Sequence, residues 1–262
     1  MSAGKLLSPG ELRRRCRDGS FGGPTSGLAI GHVQANMVIL PESEALDFTK
    51  YCAANPKPCP ILEKLAPGDP EPRKTAPGAD MRTDLPRYRV FRDGQMIDEP
   101  AQIKELWRDD LVTFLLGCSF TAEDALAGAG LPLHHLDQSG FVPMYITNLP
   151  TNPVGRFSGP LVVSMRPFRA DEAEQAAEIT GHYPLGHGAP IHMGDPGAIG
   201  IVDLDTPDYG FPTKMTEDQI AVFWACGVTP QETILRARPK LAITHAPGHM
   251  FVSDITSRST RV

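Results

Sequence analysis

T-N-L-P-T-N-P-V-G-R-F-S-G-P-L-V-V-S-M-R-P runs from Thr147 to Pro167, and its reading decides the fold. The first part, Thr147 to Pro160, is crowded with Pro, Gly and Asn, residues of rigid loops and close backbone approach. Leu161 to Met165 is a short apolar run that reads as a strand, with Phe141 to Thr147 as the strand before it. Downstream, Asp171 with Glu174 starts an Ala-rich helix that ends at Gly181. Ala198 to Leu204 is expected as a further strand. Strand, loop, strand, helix, strand is the alternation of a mixed α/β arrangement.

Upstream, Ser8-Pro9-Gly10-Glu11 is a capping box with Pro at the first helical position, so a helix runs to about Arg17. His32 to Leu40 reads as a strand, and Pro41 starts a helix with Ala45, Leu46, Phe48 and Cys52 on one face. From Asn55 to Pro86 proline is dense, and only Ile61, Leu62 and Leu65 suggest a helical turn. So long a stretch without elements reads as an arm laid over a neighbouring surface or subunit, which leaves a homo-oligomer open. Asp93-Gly94 between Tyr88-Arg89-Val90-Phe91 and Met96-Ile97 is a hairpin signal of the type I′ kind. From Pro100, the spacing of Ile103, Leu106, Trp107, Leu111, Phe114 and Leu115 predicts an amphipathic helix stopped by Gly117. Thr121 with Asp124 caps a short helix. Thr216 with Gln219, and Thr229-Pro230 with Glu232, cap two more. Leu241 to Thr244 and His249 to Val252 are short apolar segments.

A chain of 262 residues hides roughly 70–75% of its unfolded surface, enough for a sizeable core. Its net charge of −6 and single short basic run, Arg13-Arg14-Arg15, point away from nucleic acid. No apolar segment reaches the ~20 residues of a membrane span, and the region around Lys5 lacks the apolar core of a signal peptide. Five scattered cysteines without a C-x-x-C argue against a disulfide framework or a structural zinc. The expectation is a soluble, cytoplasmic protein. There is no G-x-x-x-x-G-K, no H-E-x-x-H and no G-x-S-x-G, and Gly186-His187-Gly188 lacks the third glycine of a dinucleotide fingerprint.

Four separated stretches resemble the D-glutamate cyclase family, whose bacterial members are assigned as hydro-lyases. They are T-N-P-V-G-R-F-S-G-P-L-V-V-S-M-R-P (Thr151 to Pro167), H-G-A-P-I-H-M-G-D-P (His187 to Pro196), G-C-S-F (Gly117 to Phe120) and T-H-A-P-G-H-M-F-V-S-D (Thr244 to Asp254). The resemblance spans nearly the whole chain. It implies a mixed α/β fold with a three-layer α/β/α core and a smaller two-layer α+β subdomain. The chain is then one compact unit over 1–262, divided into a larger part, 1–117 plus 199–262, and a smaller part, 118–198. The implied activity is loss of water from D-glutamate, or a related small amino or carboxylic acid, to give 5-oxo-D-proline.

That reaction needs a neutral amine, a proton donor for the leaving oxygen and a fixed cation for the spectator carboxylate. Closing a five-membered ring requires no cofactor and no metal. The Gly/Pro-framed loops carry matching groups: His187 and His192 as acid and base, with Asp195 as the histidine orienter. Arg156 and Arg166 are candidate carboxylate anchors, and Asn148 and Asn152 candidate oxyanion donors. Cys118, His245 and His249 are further candidates. One alternative gathers His187, His192, Asp195, His245 and His249 on a divalent metal, for a metal-dependent hydrolase or hydratase. Another is a binding module that holds a small carboxylate without acting on it.

Overall fold

The computed structural model describes residues 7–138 and 141–262. Lys5, read above for its flanks, lies outside them. The first helix is α1 (Pro9–Arg17), and the Ser8 hydroxyl accepts from the Glu11 amide at 3.3 Å, the capping bond the sequence implies. The elements that follow are β1 (His32–Pro41), α2 (Glu42–Ala54), β2 (Ile61–Lys64), β3 (Tyr88–Arg92), β4 (Gln95–Asp98), β5 (Leu111–Gly117) and α3 (Glu123–Gly128). Then come α4 (His134–Gln138), β6 (Met144–Pro150), β7 (Pro160–Arg169), α5 (Ala170–Gly181) and β8 (His192–Met193). The chain closes with β9 (Gln219–Ala225), α6 (Thr229–Ala237), β10 (Ala242–His245) and β11 (Phe251–Thr256). No helix among the described residues is long and apolar enough to cross a membrane.

The fold is mixed α/β, built on two antiparallel sheets. The larger has the order β2-β5-β1-β10-β3-β4, and β11 also pairs with β1. Strand β1 is its spine. It pairs with β5 from Ala35 to Pro41, and its opposite edge is shared by β11 and then β10. Alternation along a strand sends its residues to opposite faces. Ala35, Met37 and Ile39 enter one core with Leu111, Leu115 and Phe251. Val38 and Leu40 enter the other, where α2 and α6 contribute Phe48, Tyr51 and Ile234. The Tyr51 hydroxyl, 2.8 Å from Thr233 Oγ1, joins these two helices.

The first face is covered largely by the Pro-dense stretch. Leu65, Ala76, Ala79, Met81 and Leu85 are buried against the chain's own core, so this arm packs in cis. The Glu63 carboxylate fastens it by accepting from the Lys74 and Thr75 amides and the Thr75 hydroxyl at 2.8–3.0 Å. Asp93 and Gly94 take φ of 50° and 78°, the two positive values that the Asp-Gly turn demands.

The smaller sheet has the order β6-β7-β9-β8. Its strand β9 comes from beyond residue 198, the boundary drawn from sequence for the smaller part. One face packs Phe168, Val222 and Trp224 against α5 and Leu126 of α3; the other packs Tyr145, Met165 and Phe223 against coil at Ile199 and Ile201.

Several expectations fail for identifiable reasons. The helix expected from Pro100 is a 3-10 turn at Lys104–Leu106 followed by strand β5. Leu-Val-Thr-Phe-Leu-Leu is buried on both faces, and a continuous apolar run satisfies helical spacing by default. Ile61 and Leu62 lie in β2, an edge strand, instead of a helical turn. Ala198 to Leu204 is a 3-10 turn and coil, with Val202 at 99% exposure. Thr216 and Gln219 do meet, the Thr216 amide donating to Gln219 Oε1 at 2.9 Å, but this closes a turn that feeds β9, which is rich in β-forming residues. Helix α5 starts one residue before Asp171, with the Glu172 carboxylate accepting from the Arg169 amide at 3.0 Å. Around Thr121 a 3-10 turn precedes α3, and no side chain caps that helix.

Gly117 offers a test of the packing between sheet and loop. A Cβ there would lie 1.6 Å from the Leu185 carbonyl oxygen, whereas one at Gly128 meets nothing within 4 Å. Gly117→Ala is expected to lose about 1–3 kcal/mol or more of stability in urea unfolding. Gly128→Ala should be neutral or gain up to about 1 kcal/mol. Equal stability of the two variants would show that Leu185 does not pack on β5.

Candidate active site

Strands β5, β9 and β10 all release the chain near one place, beside the middle of β1. A cavity of about 30 Å³ lies there, and its polar lining includes Asn36, Cys118, Ser119, Cys226 and His245. Phe141, Met144, Val228 and Met250 supply apolar wall. The lining comes from both sheets, and small residues make the approach close. The Asn36 amide donates to the Gly117 carbonyl at 2.6 Å. A Cβ on Gly227 would lie 1.9 Å from that same amide nitrogen, so only glycine fits between β9 and α6.

Behind Ser119 sits a buried ion pair. Arg166, on β7, is 3% exposed and donates through Nε and Nη2 to Glu123 Oε1. Its Nη2 also donates to Ser119 Oγ at 3.2 Å, and its Nη1 to Ser164 Oγ at 3.4 Å. The guanidinium lies near the Phe120 and Trp224 rings, 5.8 and 5.6 Å from their centroids. Burial alone would raise the Glu123 pKa, but Arg166 and His135 outweigh it and the carboxyl is held below its usual range. Arg166 is thereby neutralised within the protein. Because Arg166 donates to the Ser119 oxygen, the serine proton is left free for another acceptor.

His245 is set by its backbone. The Met37 amide donates to Nδ1 at 3.1 Å, and the same ring nitrogen lies 3.4 Å from the Met37 carbonyl oxygen. Burial lowers its pKa to about 4, so at neutral pH it is an uncharged N–H donor. The two cavity thiols are also uncharged. Burial pushes Cys118 up to about 12 and Cys226 up to about 11.

His187 combines three unusual features. It holds φ of 76° between Gly186 and Gly188, a left-handed conformation that side chains rarely adopt. Its Nδ1 lies 2.6 Å from the Lys57 carbonyl, which fixes the proton on Nδ1. Its Nε2 is buried without a hydrogen-bond partner. Burial lowers its pKa to about 4. Gly186, the residue before it, lines a small void of about 10 Å³ that Ser119 and Arg166 also line.

Of the ten residues singled out in sequence, the structure brings Cys118 and His245 to the cavity and Arg166 and His187 behind it. The rest are elsewhere. Arg156 is half exposed and donates to Glu44 Oε1 at 2.9 Å, tying its loop to α2. Asn152 bridges the same loop to the end of α2 through Asn55 and the Ala54 carbonyl. Asn148 is exposed, its side chain against Gly200. His192 stacks on Phe223, and its Nε2 lies 2.7 Å from the Asp195 carbonyl; Asp195 itself caps the 3-10 turn by accepting from the Gly197 amide. His249 is held by the Pro247 carbonyl at 2.8 Å and lies in the field of Arg87, Arg89 and Glu99.

Arg156, His187 and Asp195, assigned above to one reaction, line none of the cavities described here. The five residues of the metal reading are not gathered either, and among the described residues no three His, Cys, Asp or Glu side chains are placed to hold a metal ion. The polar cavity residues missed in sequence include Asn36, Ser119 and Cys226, together with Ser26, whose buried hydroxyl has no hydrogen-bond partner. Their signals were faint: one amide inside an apolar strand, a loop serine, and two small polar residues where a strand passes into a helical turn.

Comparison with known proteins adds independent findings. Residues 112–254 match the family model of D-glutamate cyclase. A protein of Rubrobacter xylanophilus is 57% identical over 93% of this chain and 94% of its own length. One of Stutzerimonas stutzeri is 51% identical over 97% and 96%, and one of Bordetella pertussis 54% over 94% and 88%. All three carry the name "Putative hydro-lyase". The crystal structure of a nitrogen repressor-like protein from Methanococcus jannaschii superposes with a TM-score of 0.40 at 10% identity, covering 90% of this chain and 92% of that one. A likeness that slight carries no argument.

The histidine environments predict the acid limb of stability. Both His187 and His245 stay neutral in the folded chain to about pH 4, but titrate near 6.5 when unfolded. Between those values the unfolded state binds more protons, so stability is full above about pH 6.5 and falls as pH drops toward 4. Each ring contributes on the order of 3 kcal/mol by the bottom of that window. His245→Gln keeps an acceptor for the Met37 amide and removes one titrating ring. Urea unfolding between pH 5 and 6.5 should show a shallower slope in the variant than in the wild type; identical slopes would contradict the neutral, buried assignment.

Proposed function

Because the chain belongs to the D-glutamate cyclase family, we propose that it is a hydro-lyase that closes D-glutamate to 5-oxo-D-proline, with loss of water, where the two sheets meet, at a cavity whose volume of about 30 Å³ must widen to admit the substrate. One observation carries the choice of place. Residues far apart in sequence, Asn36, Cys118-Ser119, Cys226 and His245, line a single cavity and present neutral hydrogen-bonding groups to it.

The chemistry follows from a proton count. The α-ammonium must shed two protons as its nitrogen bonds to the γ-carboxyl carbon, and the departing oxygen must gain two to leave as water. Negative charge builds on the γ-carboxyl oxygens as the tetrahedral centre forms. Ser119 and the Nε2–H of His245 are the donors assigned to that charge, held in place by Arg166 and by the Met37 amide. His187 is the assigned proton acceptor, since its Nε2 lone pair is unpartnered; it stands outside the cavity lining, so the role requires the wall at Ser119 and Gly186 to open toward it. Its resting pKa is low, and an anionic substrate nearby would raise it by favouring the charged ring. The amine and γ-carbon belong to one molecule, so holding them in the closing geometry supplies a large share of the rate.

Purified protein should convert D-glutamate, in preference to L-glutamate, to 5-oxoproline, followed by chiral chromatography. Ser119→Ala is expected to lower kcat about 10²–10³-fold, the cost of one oxyanion donor, and His187→Gln about 10²–10⁴-fold. Arg156→Lys should leave kcat and KM near wild type, because Arg156 is committed to Glu44 at the surface. Absence of 5-oxoproline from either enantiomer would eliminate the substrate assignment. A strong KM effect at Arg156 would move the site to the Thr147–Pro160 loop.

A further inference from the structure

A roomier cavity lies apart from the one at His245 and shares no lining residue with it. It is a surface cleft of about 780 Å³ walled by α3, by α5 and by the chain after β11. That volume falls among those of small-molecule sites. Its charged lining carries both signs: Asp124 on α3, Glu178 on α5, and Arg258 and Arg261 beyond β11.

Local geometry delivers the two arginines together. Ser257–Thr260 is a 3-10 turn, and with about three residues per turn, positions 258 and 261 share a face. The segment is fastened at both ends. The Ser257 amide donates to the Gly31 carbonyl at 2.8 Å, and the Val262 amide to the His182 carbonyl at 2.9 Å. The α5 wall is one stripe of that helix and its C-terminal cap, with Gln175, Glu178 and His182 spaced to lie on a single face. The α3 wall is built from small residues, and a Cβ on Gly128 would meet nothing within 4 Å, so this side leaves the cleft open.

The four charges are not spent on one another. Among the described residues, neither arginine and neither carboxylate has an ion pair or a side-chain hydrogen bond. Other exposed arginines of this chain do find acids close by, as Arg73, Arg108 and Arg169 show. Here both signs line one cleft but are held apart, which suits an occupant that carries both charges and spans the gap. We infer that the cleft binds a zwitterion, its carboxylate on Arg258 and Arg261 and its ammonium on Glu178 and Asp124. The guanidinium fork matches a carboxylate, and an ammonium has three donors to share between two carboxylates. A free amino acid and the two ends of a short peptide present this same chemistry, and the cleft has room for either. Binding here does not depend on the reaction assigned to the cavity at His245.

Isothermal titration of the full chain with L-alanine and with triglycine tests the inference and tells the two sources apart. Saturable one-to-one binding of either zwitterion is expected. Its N-acetylated and C-amidated forms should each bind at least about 10-fold more weakly, since each removes one charged hydrogen-bonding end. The double variant Arg258→Gln, Arg261→Gln should lose at least about 10-fold in affinity by the same argument, with thermal unfolding unchanged. Gly128→Phe fills the cleft without touching a charge and should abolish binding. No saturable binding of either zwitterion would overturn the inference. So would blocked forms that bind as well as the parent, or adenosine monophosphate binding in their place, which would make this a phosphate site. Full affinity in both the double variant and Gly128→Phe would place the ligand elsewhere and overturn it too.

Discussion

The buried pair of Arg166 and Glu123 is the contact on which the arrangement of this molecule turns. Arg166 stands on β7 of the smaller sheet, and Glu123 opens α3, in the segment leaving β5 of the larger one. Their contact therefore fixes how one sheet meets the other. A buried charge is costly unless well partnered, and removing one member of such a pair typically costs about 3–5 kcal/mol because the other is stranded. Here the partners are ample. Glu123 Oε1 accepts twice from Arg166, Ser119 and Ser164 accept from the same guanidinium, and two aromatic rings cover it. Because Ser119 is one of these acceptors, the contact that docks the sheets also holds a hydroxyl of the cavity lining.

Glycine makes the rest of the cavity wall possible. Gly117, Gly186 and Gly227 each lie where a neighbour's atoms come within 3.3 Å of a would-be Cβ, and each belongs to a segment that contributes to the site. Gly117 brings β5 under Leu185, and so brings the loop that carries His187 against the segment that carries Cys118. Gly227 lets Asn36 reach across from β1. The close backbone contacts are steric consequences of missing side chains, while the polar groups they deliver are held by hydrogen bonds to main chain.

How much of this was legible in sequence depends on which physical rule governed each residue. The cap of α1 and the Asp-Gly hairpin were read correctly because their signals are local; α6 does begin at Thr229-Pro230, but no side chain caps it, and the Thr229 hydroxyl bonds to the Val162 backbone instead. Strand β5 was misread, since a strand buried on both faces has no alternation to betray it. The Thr147–Pro160 and His187–Pro196 loops were read as the site for their Gly, Pro, Asn, Asp and His content. That composition also serves architecture. Asn152 and Asp195 spend their polar atoms on nearby backbone or on the end of α2, as short polar side chains in loops commonly do. Ser119 lay within a motif already singled out, but its importance depends on Arg166, forty-seven residues away, lending it a hydrogen bond. The state of a histidine was likewise out of reach. His187 and His245 look alike in sequence, yet Nδ1 of one meets a carbonyl alone while Nδ1 of the other lies against both the amide and the carbonyl of Met37.

That difference bears on what kind of site this is. The polar groups named in the cavity lining are uncharged at neutral pH: a hydroxyl, an imidazole N–H, an amide and two thiols. The nearest buried cation, Arg166, is cancelled by Glu123. For a substrate bearing two carboxylates this is an economical arrangement in mechanistic terms. A fixed cation on the spectator carboxylate binds substrate, transition state and product almost equally, which adds affinity without lowering the barrier. Oriented neutral donors act differently. Their contribution grows with the charge that develops on the oxygen they face, and in a dry cavity they need no reorganisation at that moment. The initial attraction of an anion then falls to groups outside the lining, and Arg87 stands in the field around His249, one residue from Gly248 of the cavity wall, while Arg89 beside it is paired with Glu99 at 2.9 Å. Long-range attraction and local transition-state stabilisation are thus assigned to different residues, which is what a site with a buried, self-neutralised arginine requires.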